Sequence, residues 1–201
     1  MTEELQPLPT KLRMRRVLLR NFKGFKSFSL RTREMNLLVG SNNSGKSTIL
    51  GAFRALAVAL RKARSRKPEQ LDGAGPFHEG WILDPESLPI SLENVHHNYD
   101  DDSNAEARFF LSNDTELALS FPPGGAPRFW VADSPKRISS PASFRRHVGF
   151  SVHHVPVLGP VEHHEDLIQR ETVIRSLGTH RASRHFRNYW HHFPDGFEEF
   201  A

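Results

Sequence analysis

Residues 40–47 constrain this chain more than any other stretch. They read Gly40-Ser41-Asn42-Asn43-Ser44-Gly45-Lys46-Ser47, which fits the pattern G-x-x-x-x-G-K-[ST], and Thr48 follows directly. The pattern needs a strand that delivers the chain into a tight loop, with glycines where the backbone takes angles that a Cβ forbids. Main-chain N–H groups can then converge on phosphate oxygens at the positive end of the next helix. In that arrangement Lys46 bridges the β and γ phosphates of a nucleoside triphosphate and the Ser47 hydroxyl ligates Mg2+. A chance match arises in roughly one chain in 200 of this length, so the flanks decide. Before the loop, 35–39 (MNLLV) is short and apolar. After it, 47–63 sets Ile49/Leu50, Phe53, Leu56/Ala57 and Leu60 at helical spacing on one face. A glycine-rich turn with a surface lysine is the plain alternative, and both flanks argue against it.

Residues 11–19 (KLRMRRVLL) interleave basic and apolar side chains as a strand does. Residues 21–25 (NFKGF) read as a turn with glycine at its tip, and 27–32 alternate Phe28 and Leu30 with polar residues as a return strand. The helix after the loop runs out in Arg61, Lys62, Arg64, Arg66 and Lys67, cations that a helix C-terminus favours on dipole grounds alone. Residues 69–85, rich in Gly, Pro and Asp, read as a loop or surface insertion. Strand-like runs follow at 88–95, 105–111, 116–121 and 128–132, an antiparallel meander. Residues 133–143 read as a polar loop and 147–158 as a strand entering the core. From about His163 a helical pattern carries Leu167/Ile168, Val173/Ile174 and Leu177, interrupted at Gly178 before Phe186, Tyr189/Trp190 and Phe193.

Composition narrows the classes. The absence of cysteine excludes disulfide frameworks and thiolate metal sites. The longest mostly apolar stretch, 49–60, contains Arg54 and is too short to span a bilayer, and residues 1–10 lack a secretory pattern, so a cytoplasmic protein without membrane contact is expected. Up to Lys67 there are 16 Lys/Arg against three acidic residues; beyond it there are 11 against 20. That asymmetry suits an anionic partner for the first third, a nucleotide or a nucleic acid.

The run RRVLLRNFKGFKSFSL…MNLLVGSNNSGKSTILGAF resembles the N-terminus of the ABC-type ATPases grouped with RecF, the SMC proteins and the OLD (overcoming lysogenization defect) family. The likeness is specific over 12–60 and looser beyond; HFRNYWHHFPDGFEEF is similar to a helical segment that OLD-like ATPases place after their first-lobe sheet. It implies an α/β P-loop NTPase with a mixed sheet, the P-loop helix and an antiparallel β subdomain, as the first lobe of an incomplete head. On that basis 11–67 are the hairpin, Walker A loop and P-loop helix; 68–85 a loop insertion; 86–158 a mostly β subdomain; and 159–201 a helical segment. ATP and Mg2+ are the implied cofactors, with residues 40–48 on the nucleotide and Ser47 on the metal. Phe22 and Lys23 then fall on the adenine and ribose side; the alternative makes Phe22 core and Lys23 a solvated turn.

The same resemblance implies a homodimer of heads, with DNA and an effector nuclease as partners, in DNA repair, chromosome maintenance or anti-phage defence. Such heads hydrolyse ATP with a Walker B aspartate, an adjacent glutamate and a signature loop across the dimer. Here no apolar strand ends in Asp-Glu, Gly124-Gly125 sits in a proline-flanked turn, and Gly159-Pro160-Val161-Glu162 stands where a Q-loop glutamine is expected. No catalytic residue is therefore assigned, and this stretch alone is expected to bind ATP–Mg weakly and hydrolyse it negligibly. The competing expectation is a non-hydrolysing nucleotide-sensing or scaffold subunit that binds DNA or an effector.

Other signals rank lower. Pairs at His96-His97, His153-His154, His163-His164 and His191-His192 suggest metal, but neighbours on a strand or helix do not converge on one ion. Asp100-Asp101-Asp102 reads as a solvated turn. Arg13, Arg15, Arg16, Arg20, Lys23 and Lys26 could meet a DNA backbone, although only alternate residues share a strand face.

Overall fold

The computed structural model describes residues 12–71, 79–154, 164–176 and 182–194. They fall in two compact units, Met1–Val152 and His153–Ala201. The first contains β1 (Met14–Phe22), β2 (Phe25–Arg31), α1 (Lys46–Ser65), β3 (Glu69–Gln70), β4 (Glu79–Ile82), β5 (Ala105–Leu111), β6 (Glu116–Phe121), β7 (Arg128–Asp133) and α2 (Pro141–His147). Its strands form one seven-stranded sheet in the order β2-β1-β5-β6-β7-β4-β3.

Period-two burial writes this sheet. Along β5 buried Ala105, Ala107, Phe109 and Leu111 alternate with half-buried neighbours. Register carries the apolar row across strands: Val17 faces Phe109, which faces Leu117, and Leu19 faces Ala107, then Leu119, then Phe129. Helix α1 covers this face. It buries Ala52, Ala55, Leu56, Ala59, Leu60 and Ala63 in the same core, and the rings of Phe53 and Phe109 lie 5.8 Å apart. The small alanines let the helix approach closely while Leu56 and Leu60 fill the space between.

The α1 tail explains its own charges. Lys62 donates to the Ile82 carbonyl, Arg64 to those of Val148 and Phe150, and Arg145 to the Arg64 carbonyl. Helix α2 starts at a capping box between Ser140 and Ser143, with Pro141 preset for the first turn. Its Phe144 meets Trp81 and Phe129 edge-on, at 5.4 and 6.2 Å between ring centroids, and Trp81 Nε1 donates to Arg66 O at 2.9 Å.

Several expectations are corrected. The sheet is not mixed: every strand pairing among the described residues is antiparallel, and the meander belongs to the same sheet as the hairpin instead of forming its own subdomain. Within 69–85, read as loop, β3 and β4 form the sheet's far edge; 72–78 lie outside the described residues. Residues 88–95 are no strand but irregular chain after a 3₁₀ turn at Pro85–Ser87. Residues 147–154 close α2 and continue irregularly, with 155–158 outside the described residues. Residues 35–39 pair with no strand among the described residues, so the expected strand before the loop does not form with any of them.

In the second unit, α3 (Arg170–Ser176) packs on α4 (Phe186–His192), and Glu165 ties α4 to the preceding chain, its carboxylate accepting from Arg187 N at 2.9 Å and Asn188 N at 3.0 Å. Leu177, Gly178 and His163 lie outside the described residues. No helix among the described residues is long and apolar enough to cross a membrane.

Candidate nucleotide site

The glycine loop lies between 35–39 and α1, and Gly45 is the residue from which α1 starts. Gly45 has φ +87°, and a Cβ there would land inside the Phe25 ring. The position is thus closed to side chains twice, by backbone and by contact. Asn43 shares the left-handed region at φ +66°. Phe25 opens β2 and stacks on Phe28 with ring centroids 4.4 Å apart, so the hairpin supplies the floor on which the loop turns.

Lys46 folds back over this loop. Its Nζ donates to Gly40 O at 2.8 Å, Ser41 O at 2.6 Å and Ser44 Oγ at 3.2 Å. An ammonium has three protons, and here all three meet oxygens of the loop. Beside it opens a cleft of about 670 Å³ with three walls. Asn42 to Thr48 form one, Lys23, Gly24 and Phe25 of the hairpin tip the second, and Asn94, His96, Asn98 and Tyr99 the third. Its volume lies within the range of small-molecule sites. Among the described residues the lining carries two ammonium groups, four hydroxyls from Ser44, Ser47, Thr48 and Tyr99, and no carboxylate. That donor set fits a polyanion. For Mg2+ it offers the Ser47 hydroxyl as one oxygen ligand, and the ion commonly completes its octahedron with phosphates and water.

The two hairpin residues separate. Phe22 is 0% exposed and packs its ring 5.6 Å from Phe121, a core residue outside the cleft lining. Lys23 does line the cleft, its Nζ donating to Ser91 O at 3.1 Å and its backbone N to Val95 O at 2.7 Å. Burial holds the Lys23 ammonium below the ordinary lysine value.

The third wall has no local motif. It is brought to the cleft by Asn21, buried at φ +47°, whose Nδ2 donates to Asp100 O and Ser103 O, each at 2.9 Å, while its Oδ1 accepts from His97 N at 3.0 Å. His96 of this wall and its neighbour His97 point apart. His96 Nε2 lies 2.9 Å from Phe121 O and its Nδ1 3.2 Å from Asp101, whereas His97 Nδ1 lies 2.9 Å from Lys23 O. No group of three or more metal-ligating side chains converges among the described residues. Asp100 accepts from Asp102 N at 3.2 Å, a turn contact.

The basic hairpin is partly matched from within. Arg13 pairs with Glu34, Arg15 with Asp114, and the Arg16 guanidinium sits 4.0 Å over the Phe110 ring.

A family model described as the AAA ATPase domain matches residues 13–121, more than half of the chain. Among solved structures, a chain from work on the structural biochemistry of ATP-driven dimerization and DNA stimulated activation of SMC ATPases aligns with 15% identity and a TM-score of 0.42, covering 68% of this chain and 77% of that one. No curated protein matches.

Proposed function

The chain belongs to the AAA ATPase domain family, and from that premise we propose that it is the nucleotide-gripping first lobe of an ABC-type ATPase head. One observation carries the reading: the Lys46 ammonium is held by Gly40, Ser41 and Ser44 in the wall of a cleft whose lining, among the described residues, has cations and hydroxyls but no acid. When a triphosphate enters, Lys46 exchanges neutral carbonyl acceptors for anionic phosphate oxygens, so bonds already charge-assisted by the donor gain the attraction of opposite charges. Lys23 adds a second cation, and Ser47 presents the hydroxyl through which the Mg2+ that accompanies ATP would be held. The bound metal shields phosphate charge; positioning falls to this chain's own residues.

The reading also explains an odd surface. Met35, Leu37 and Val39 are 88%, 86% and 83% exposed, on a segment that leads straight into the loop. A second lobe laid along 35–39 would cover that row and bring the carboxylates the cleft lacks. Two such heads would close over two nucleotides, and the unmatched part of the basic first third would face DNA.

Calorimetry with MgATP tests the core of this. Lys46→Ala should weaken uptake by about 10- to 100-fold, the scale of a bond to a charged group, while the thermal midpoint stays put. Unchanged affinity would end the proposal. The same cations and hydroxyls would also suit a second reading, a subunit that senses nucleotide without hydrolysing it. Phosphate release that rises more steeply than protein concentration marks the dimeric ATPase; MgATP uptake without release at any concentration marks the sensor.

A further inference from the structure

We infer that the loop carrying Asn94 to Asp102 is the nucleoside end of the cleft, with Tyr99 as the platform on which a purine base stacks and Asn21 as the residue that positions it. This rests on the phosphate reading of the glycine loop and assigns the third wall. Four observations converge. Tyr99 lines the same cleft as the glycine loop yet is 73% exposed, so its ring is an open aromatic face beside a polyanion site. Its backbone has φ +57° directly after Asn98 at φ +51°. A left-handed backbone is uncommon for a bulky aromatic, a strain that persists where the surroundings impose it.

Those surroundings are visible. Asn21 makes bonds to Asp100 O, Ser103 O and His97 N, and so holds the chain on both sides of Tyr99. His97 adds a bond to the Lys23 carbonyl and His96 one to Phe121, anchoring the loop to the hairpin tip and to β6. The site's chemistry is that of a base reader: one aromatic face, plus the amides of Asn94 and Asn98, each able to donate and accept along a heterocycle's edge. The bicyclic purines offer the larger stacking area, so the ligand class is a purine nucleoside triphosphate, not a bare polyphosphate.

The experiment compares ATP, CTP and inorganic tripolyphosphate, each with Mg2+, by calorimetry on the intact protein. Wild type should bind ATP more tightly than CTP and tripolyphosphate. Tyr99→Gly, which removes the ring and relieves the backbone, should weaken ATP about tenfold, the scale of one base on one aromatic ring, and leave tripolyphosphate unchanged. Tyr99→Phe should retain the preference. Asn21→Asp, which turns a donor into an oxygen facing two carbonyls, should lose the ATP advantage without losing tripolyphosphate. If tripolyphosphate binds as well as ATP and disappears in Lys46→Ala, the phosphate reading stands and this inference falls. If Tyr99→Gly weakens both ligands alike, the inference also falls. If neither ligand binds wild type, both fall together.

Discussion

Two apolar segments meet at the glycine loop and end in opposite surroundings. On the C-terminal side, α1 buries Leu56 and Leu60 with a row of alanines against a sheet that is already apolar on that face. On the N-terminal side, 35–39 alternates as a strand would: Leu38 packs against the core, while Met35, Leu37 and Val39 stand in solvent. Composition does not separate them, since both are rich in Leu and Val or Ala. What separates them is the presence of a complementary surface. A helix closes its backbone hydrogen bonds internally and needs only a face to lie on, whereas a strand needs a neighbouring backbone before its side chains can be covered. An exposed apolar row on a segment with no partner strand among the described residues is the kind of surface that another body could cover.

The largest effect that tests this contrast is a pair of truncations. Leu56→Ala, at a fully buried site in α1, should cost about 2–5 kcal/mol, read as a shift in the urea midpoint at unchanged slope. Leu37→Ser, at an exposed site, should cost nothing measurable in the same titration. Comparable destabilisation by both would break the contrast, because it would mean that 35–39 is already packed.

A second comparison works at the junction itself. Gly45→Ala drives a methyl into Phe25 at φ +87° and should cost about 1–3 kcal/mol, with at least tenfold weaker MgATP binding. Gly24→Ala, one residue from Phe25, meets open space and should stay within about 0.5 kcal/mol of wild type. A Gly45→Ala protein with native stability and affinity would show that Phe25 yields and that the hairpin does not support the loop.

How much of this could be read from residues follows from what each signal depends on. The hairpin, the loop, α1 and β5 to β7 carry their period in consecutive residues, and each stands within a few positions of where alternation puts it. Strand β4 was hidden because Gly80 and its Gly- and Pro-rich approach mimic a loop. In fact Gly80 is required there: a Cβ would meet Leu71 Cδ1 at 2.7 Å and press on the Phe129 carbonyl. Helix α2 had a legible start in Ser140-Pro141 with Ser143, but the polar run around it read as loop. Residues 35–39 have strand chemistry and no partner strand among the described residues, so local pattern and final state disagree for a tertiary reason. The third wall of the cleft was beyond reach altogether. Asn94, His96, Asn98 and Tyr99 form no motif, and the Asn21 amide that joins them to the hairpin spans 79 to 82 positions of sequence to Asp100 and Ser103.

The smallest effect separates the two segments by pH. His147 ends α2, which packs on α1, and its Nε2 lies 2.8 Å from Thr115 Oγ1 and 3.0 Å from Ser134 Oγ. Burial, and then the Lys136 charge, hold its imidazole below the ordinary value of 6.5. The native state therefore binds this proton less readily than the unfolded chain. Stability from the neutral ring is complete above about pH 6.5 and is lost as pH falls from there toward the lowered native value. Hydrogen exchange, corrected for its intrinsic pH dependence, should show α1 amides losing protection as pH falls from 7 toward 5, with 35–39 unprotected throughout because no ladder holds it. His147→Gln should flatten the α1 response. A slope that survives in the variant would assign the titration to another group and detach α2 from the stability of α1; protection appearing in 35–39 at any pH would show that the segment has found a partner strand.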